Sequence, residues 1–270
     1  SGFINSSDFT GKNIHFGVRE HAMAAIANGI AYAGILKPFI GTFLVFSDYM
    51  RPSIRLAALA KLPVIYVFTH DSFYVGEDGP THHPVEHISS LRLIPDLIVI
   101  RPADGEEVKQ AWLLALQSKQ PVALCLTRQN VSPIERSNEC QLEKGAYIVR
   151  DAKNDPELII IATGSELSLV METVDSLENN LQIRIISMAS STLYDQQNLA
   201  YKKQLIPEQC VKRVFVEAGT SDLHYKYIGE HGLSIGMNRF SKSAPYQDLE
   251  IDFGFTKEAL KQQLINYLNT

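Results

Sequence analysis

Val64-Ile-Tyr-Val-Phe-Thr69 runs straight into His70-Asp-Ser-Phe-Tyr-Val-Gly-Glu-Asp-Gly-Pro-Thr-His-His-Pro84. The first stretch is short, apolar and rich in β-branched and aromatic residues, which is the signature of a buried strand. The second is polar and too rich in turn residues to continue that strand. Open α/β sheets hold ligands at the C-terminal ends of their strands, so a long polar loop at this place points to a fold class and to a site together. Gly76 and Gly79 allow the backbone to bend. His70, Asp78 and His82 bring two imidazoles and a carboxylate to one loop, a set suited to a hydroxylated, polar or anionic substrate. A loop that is merely solvated seldom concentrates them so.

Outward from this loop, strand and helix signals alternate. Glu20 to Ala33 is an Ala-rich helix pattern that ends at Gly34. Pro38 to Phe46 is a short aromatic and apolar run, and Tyr49 to Lys61 reads as a helix. Leu97–Ile100 and Val122–Leu126 read as strands. Between them Asp104 stands three residues before Glu107, the spacing of a capping box that opens a helix through Gln117. Arg128 to Lys144 is polar and carries Pro133, which places a domain boundary there and gives domains of residues 1–135 and 136–270. Beyond it, strands are expected at Glu157–Thr163, Gln182–Met188 and Arg213–Glu217. Helices are expected from the Gly164-Ser165 turn to about Glu178 and over Thr256–Leu268. The fold class is therefore α/β, with two consecutive domains, each a mostly parallel sheet covered by helices.

Composition narrows the function. A net charge of −5, from 25 basic and 30 acidic residues, argues against a protein that grips nucleic-acid phosphates. The apolar runs are strand-sized, far short of the roughly 20 residues that span a bilayer. The N-terminus lacks the charged start and apolar segment of a signal peptide. Cys125, Cys140 and Cys210 are few, odd in number and far apart, so a disulfide framework is not expected and a reducing cytoplasm fits. A start at Ser1-Gly2 rather than Met leaves room for machinery outside this chain.

Several residues carry two readings. Glu20 opens a helix, where an acid gains about 0.3–1 kcal/mol from the helix dipole; as a partly buried carboxyl it would instead exchange a proton with a ligand nitrogen. Phe43, Phe46 and Tyr49 recur at a spacing of three, as a core stripe or as a stack of rings for a flat heteroaromatic ligand. Arg128 follows a strand, as a surface ion pair or as a fork for a phosphate or carboxylate. His83-Pro-Val-Glu-His87 matches a metalloprotease pattern, but Pro84 suits only a first helical turn and no third ligand is marked. Histidines satisfied within the loop or helix are expected there, and no metal site is assigned. Thr163-Gly-Ser-Glu166 lacks a full phosphate-binding fingerprint and reads as a tight strand-to-helix turn.

Taken together, Gly17-Val-Arg-Glu-His-Ala-Met23, Thr42-Phe-Leu-Val-Phe46, Thr69-His-Asp-Ser72, Gly76-Glu-Asp-Gly-Pro-Thr-His82, Arg101-Pro-Ala-Asp104, Arg128-Gln-Asn130 and Ala162-Thr-Gly-Ser-Glu166 resemble the C-terminal part of the transketolases. The likeness continues to Val216-Glu-Ala-Gly219 and Phe253-Gly-Phe-Thr256. It implies a pyrimidine-binding domain, N-terminally incomplete, followed by the family's C-terminal domain. It implies thiamine diphosphate as cofactor, with Mg or Ca held by a domain absent from this chain. It implies transfer of a two-carbon ketol unit from a ketose phosphate to an aldose phosphate, in the pentose phosphate pathway. By the same resemblance Glu20 contacts the cofactor's aminopyrimidine, and Phe43, Phe46 and Tyr49 pack around that ring. His70, Asp78, His82 and Arg128 match substrate-binding positions, and His82 also faces the reacting carbonyl. The implied partner is a second copy of the chain or a complementary diphosphate-binding domain, with no nucleic acid and no membrane.

Departures accompany the match. No Gly-Asp-Gly motif with a downstream Asn pair is present, so the isolated chain is expected to be inactive. His83 stands where the family usually has Gln, and Phe73-Tyr74 replace smaller or aliphatic residues. The loop sequence speaks against a deoxyxylulose-phosphate synthase or a 2-oxoacid dehydrogenase β-subunit. A dihydroxyacetone synthase and a non-catalytic dimerisation module remain as alternatives.

Overall fold

A computed structural model describes residues 2–177 and 181–270. The first half runs α1 (Glu20–Tyr32), β1 (Phe39–Phe43), α2 (Ser47–Leu59), β2 (Ile65–Thr69), α3 (His87–Arg92), β3 (Ile98–Ile100), α4 (Gly105–Gln117) and β4 (Val122–Cys125). Its four strands pair in parallel in the order β1-β2-β4-β3. The second half runs β5 (Tyr147–Arg150), β6 (Leu158–Ala162), α5 (Glu166–Asp175), β7 (Ile183–Ser187), α6 (Ser191–Tyr194), α7 (Leu199–Leu205), β8 (Arg213–Val216), α8 (Tyr225–Ile228), β9 (Leu233–Ile235), α9 (Tyr246–Phe253) and α10 (Lys257–Leu268). Its sheet has the order β5-β7-β6-β8-β9, parallel except for the β5–β7 edge.

The local reasons follow from the residues. Every side chain of β6, Leu-Ile-Ile-Ile-Ala, is buried, as a central parallel strand covered on both faces requires. Ala24, Ala27 and Ala31 line the buried side of α1, and their small side chains let it lie close on α2. Asp104 caps α4 by accepting from the Glu107 N–H at 3.1 Å. The capping box closes in altered form: the Glu107 carboxylate accepts from the Ala103 N–H, and from Tyr147 and Ser187 across the domain junction.

The elements not anticipated include β5 and β9, α2 runs Ser47–Leu59 rather than Tyr49 to Lys61, and two further details differ from the sequence expectations. The run Pro38 to Phe46 contains β1 and then a short 3₁₀ turn, Leu44–Phe46. α5 ends at Asp175, three residues before the expected end at Glu178, which lies outside the described residues. The two halves share their cores: Phe73, Tyr74, Val85 and Ala103 of the first half belong to the apolar cluster built on β6, β8 and α10.

Candidate functional site

β1, β2 and β4 are neighbours and parallel, so their C-terminal ends form one rim. Phe43 ends β1 in register with Thr69, which ends β2. His70 follows with φ of 60°, a left-handed conformation uncommon for a side chain with a Cβ, and the chain turns sharply out of the sheet. Its ring stacks on Phe43 with centroids 3.6 Å apart, and its Nδ1 lies 2.8 Å from Thr69 Oγ1. Phe43 stacks on Phe46 at 6.2 Å and Phe46 on Tyr49 at 6.1 Å, with interplanar angles of 23° and 20°. The His82 ring stands edge-on to Phe46 at 5.6 Å. Five of the residues singled out from the sequence thus form one run of rings along the rim. A buried core stripe does not describe them, since Phe43 and Phe46 are half-buried and Tyr49 is 64% exposed.

Of the charged members, Arg128 and Asp78 lie close enough to act on His70. His70 is held below the ordinary imidazole value of 6.5, first by burial and next by the Arg128 charge, with Asp78 and Asp71 opposing. Arg128 follows β4 and is exposed, and no carboxylate among the described residues pairs with it. Asp78 is exposed at the end of the 3₁₀ turn Phe73–Asp78, in which Gly76 takes φ of 81°. Glu20 is half-buried at the start of α1, which packs on α2 and β1. Its neighbour Arg19 turns away and donates to the Phe16 carbonyl at 2.6 Å.

Sequence reasoning missed what holds the rim from below. Arg101, fully buried after β3, donates to Asp71 at 2.8 Å, to the Thr163 carbonyl at 2.9 Å and to both oxygens of Glu166. Burial opposes its charge, but Asp71 and Glu166 outweigh burial and hold the guanidinium protonated. Arg92 grips buried Glu217 through two bonds of 2.7 and 2.8 Å, and His224 Nε2 lies 3.1 Å from the same carboxylate. These arginines enter the crevice between β6 and β8. Gly164 has φ of 62°, and a Cβ there would come within 2.6 Å of the Arg101 guanidinium carbon. The Thr163-Gly-Ser-Glu166 turn is therefore the tight strand-to-helix turn read from the sequence, and its ligand is a side chain of the other half. The available signal was Arg101-Pro-Ala-Asp104, a charge directly after an apolar strand.

His83 and His87 do not converge. His83 Nε2 lies 2.8 Å from the Gly76 carbonyl and its Nδ1 meets Ser241 Oγ. His87 Nε2 lies 3.1 Å from Asp48 Oδ2. Ligand-type atoms of Asp48, Glu86 and His87 gather within 4.8 Å of one another, and the His87–Asp48 contact accounts for that pair without an ion. Both histidines are buried, but only His83 is satisfied at both ring nitrogens, as expected; His87 is bonded through Nε2 alone, and its Nδ1 has no hydrogen-bond partner among the described residues.

Residues 3–133 match the family described as "Transketolase, pyrimidine binding domain", and residues 145–256 match "Transketolase-like TK C-terminal domain". A transketolase of Aquifex aeolicus is 50% identical over 261 residues, which cover 95% of this chain and 38% of the relative. The chain belongs to the transketolase family, as its pyrimidine-binding and C-terminal portion. A transketolase structure from Leishmania mexicana superposes with a TM-score of 0.92 at 42% identity, covering 98% of this chain and 39% of that one. A Pichia stipitis transketolase in complex with sedoheptulose-7-phosphate superposes with a TM-score of 0.90 at 37% identity, covering 97% and 38%. The chain thus spans about two fifths of the length of the transketolases it matches. No helix among the described residues is long and apolar enough to cross a membrane.

Proposed function

We propose that this chain supplies the pyrimidine-binding and sugar-gripping half of a transketolase active site. The observation that carries the reading is the continuous run His70–Phe43–Phe46–Tyr49, with His82 against Phe46, at the C-terminal rim of a parallel sheet. The residues fit the cofactor that the family implies: near-parallel rings, those of Phe43 and Phe46 half-buried, suit a flat heteroaromatic group, and Glu20 offers a carboxyl at the start of α1, which packs on β1 and α2. Glu20 would hold and exchange a proton at a pyrimidine nitrogen, and Phe43, Phe46 and Tyr49 would flank that ring. Bound thiamine diphosphate supplies the electron sink that lets a two-carbon unit pass between sugars. Its diphosphate and a Mg or Ca ion would be held outside this chain.

The substrate would be a phosphorylated sugar. Arg128, exposed and free of carboxylate partners among the described residues, would take the phosphate by paired N–H groups. His70, kept neutral by burial and by Arg128, would donate or accept a hydrogen bond without adding charge. Asp78 and His82 would face the hydroxyls and the carbonyl. The divide between the two domains is placed at 135/136, in the polar segment between the two sheets. The three free cysteines support a reducing, cytoplasmic setting.

The test is a two-carbon transfer assay on this chain alone and with the complementary diphosphate-binding part. Turnover only in the mixture is the expected result. Turnover by the chain alone would overturn the half-site reading, and none in either case would favour an interaction module.

A further inference from the structure

The loop that carries Asp78 and His82 is held on its outer side by the C-terminal domain. Phe73 stacks on Phe253 at 5.4 Å and Tyr74 meets Tyr246 at 5.8 Å. Ser243 Oγ donates to the Glu77 carbonyl at 2.5 Å. A Cβ on Gly79 would come within 3.3 Å of Ser243 Cβ, so the two backbones run close together there. His83, 2% exposed, ties these contacts together. The Gly76 carbonyl can only accept, so His83 Nε2 carries the proton. Nδ1 of the neutral ring is then an acceptor, and the Ser241 hydroxyl donates to it. One imidazole thereby fixes the start of the loop, at Gly76, and its end, beside His82, to a segment of the other domain.

We propose that Ser241, acting through His83, is a positioning residue for Asp78 and His82, so that the C-terminal domain takes part in choosing the sugar. This rests on the sugar-phosphate reading above. Ser241 touches no part of the rim itself; it sets where the loop holds its polar groups.

The experiment has two arms. In the assembled enzyme, Ser241→Ala is expected to raise the KM for a ketose phosphate about 5–10-fold with kcat within about twofold, the loss of one buried hydrogen bond felt in sugar binding. Ser241→Thr keeps the hydroxyl and should restore the KM. In the chain alone, amide hydrogen exchange over residues 76–82 should quicken in Ser241→Ala and in His83→Ala, while exchange in β6 stays as it was. Unchanged exchange together with unchanged KM overturns the proposal, as does a fall in kcat at constant KM. If the unaltered enzyme transfers no two-carbon unit, the functional reading fails, and the exchange arm still decides whether Ser241 holds the loop.

Discussion

Each sheet has a central strand that runs into a polar, glycine-containing turn, β2 into the loop with Gly76 and Gly79 and β6 into Thr163-Gly-Ser165, yet the two sheet ends are used in opposite ways. After β1, β2 and β4 the rim is left open, with half-buried rings and the exposed Arg128 guanidinium, which has no carboxylate partner among the described residues. Between β6 and β8 the connections leave in opposite directions, which makes that crevice the usual ligand position of such a sheet. There, however, Arg101 and Arg92 of the first half fill it, held by Glu166 and Glu217. Fold type therefore does not decide where a ligand binds. The crevice already closed by the chain's own charges joins the halves, and the open rim is where the proposed chemistry would take place.

The comparison breaks most visibly at Glu20. In the assembled enzyme Glu20→Gln is expected to lower kcat by roughly 10²–10⁴, the usual range for a lost proton-transfer group. Near-normal turnover would remove Glu20 from the open rim. At the closed crevice, Arg101→Met leaves the buried carboxylates of Asp71 and Glu166 without their partner. A loss of about 3–5 kcal/mol in urea unfolding is expected. A loss under 1 kcal/mol would mean that the crevice is not sealed by charge.

A third measurement uses pH. Burial alone would raise the Glu217 carboxyl, but Arg92 and His224 outweigh it and hold the group far below its ordinary value of 4.5. Because its folded value is depressed, its contribution is complete above about pH 4.5 and is lost as pH falls below that toward the folded value. The penalty of Arg92→Met should thus be large at pH 7 and smaller at pH 3, read from urea midpoints. An equal penalty at both would detach the Arg92–Glu217 pair from the stability of the junction.

The smallest effect is spectroscopic. His70 should titrate below 6.5 by NMR, moving up in Arg128→Ala and down in Asp78→Asn, since those charges act on it in opposite senses. No movement in either variant would place the open rim's charges too far apart to act as one site.

Much of this was legible from residue order. The strands β2, β3, β4, β6, β7 and β8 each lie within a run that the sequence marks as apolar and strand-sized. The rim residues were legible because a polar loop that directly follows such a strand can only emerge at the sheet edge. β1 was obscured because Gly41 and an aromatic run blur the strand signal. β5 and β9 were missed because each is only three or four residues long and includes a polar residue, Arg150 and Ser234, whereas Ile98–Ile100 of β3 is apolar throughout. The loop residues Phe73, Tyr74 and His83 stood out only as unusual, since their partners Phe253, Tyr246 and Ser241 lie more than 150 residues away.

By itself the sequence determined the alternation of strands and helices, the glycines that permit the loop, and the chemical types offered at its rim, because these depend on neighbours along the chain. Only the tertiary structure decided that the rings of Phe43, Phe46, Tyr49, His70 and His82 meet, and that Arg101 and Arg92 close the second crevice. A charge after a strand looks the same in a sequence whether it meets water, a ligand or a buried carboxylate. Which of these it meets depends on the low-dielectric surroundings that only packing creates.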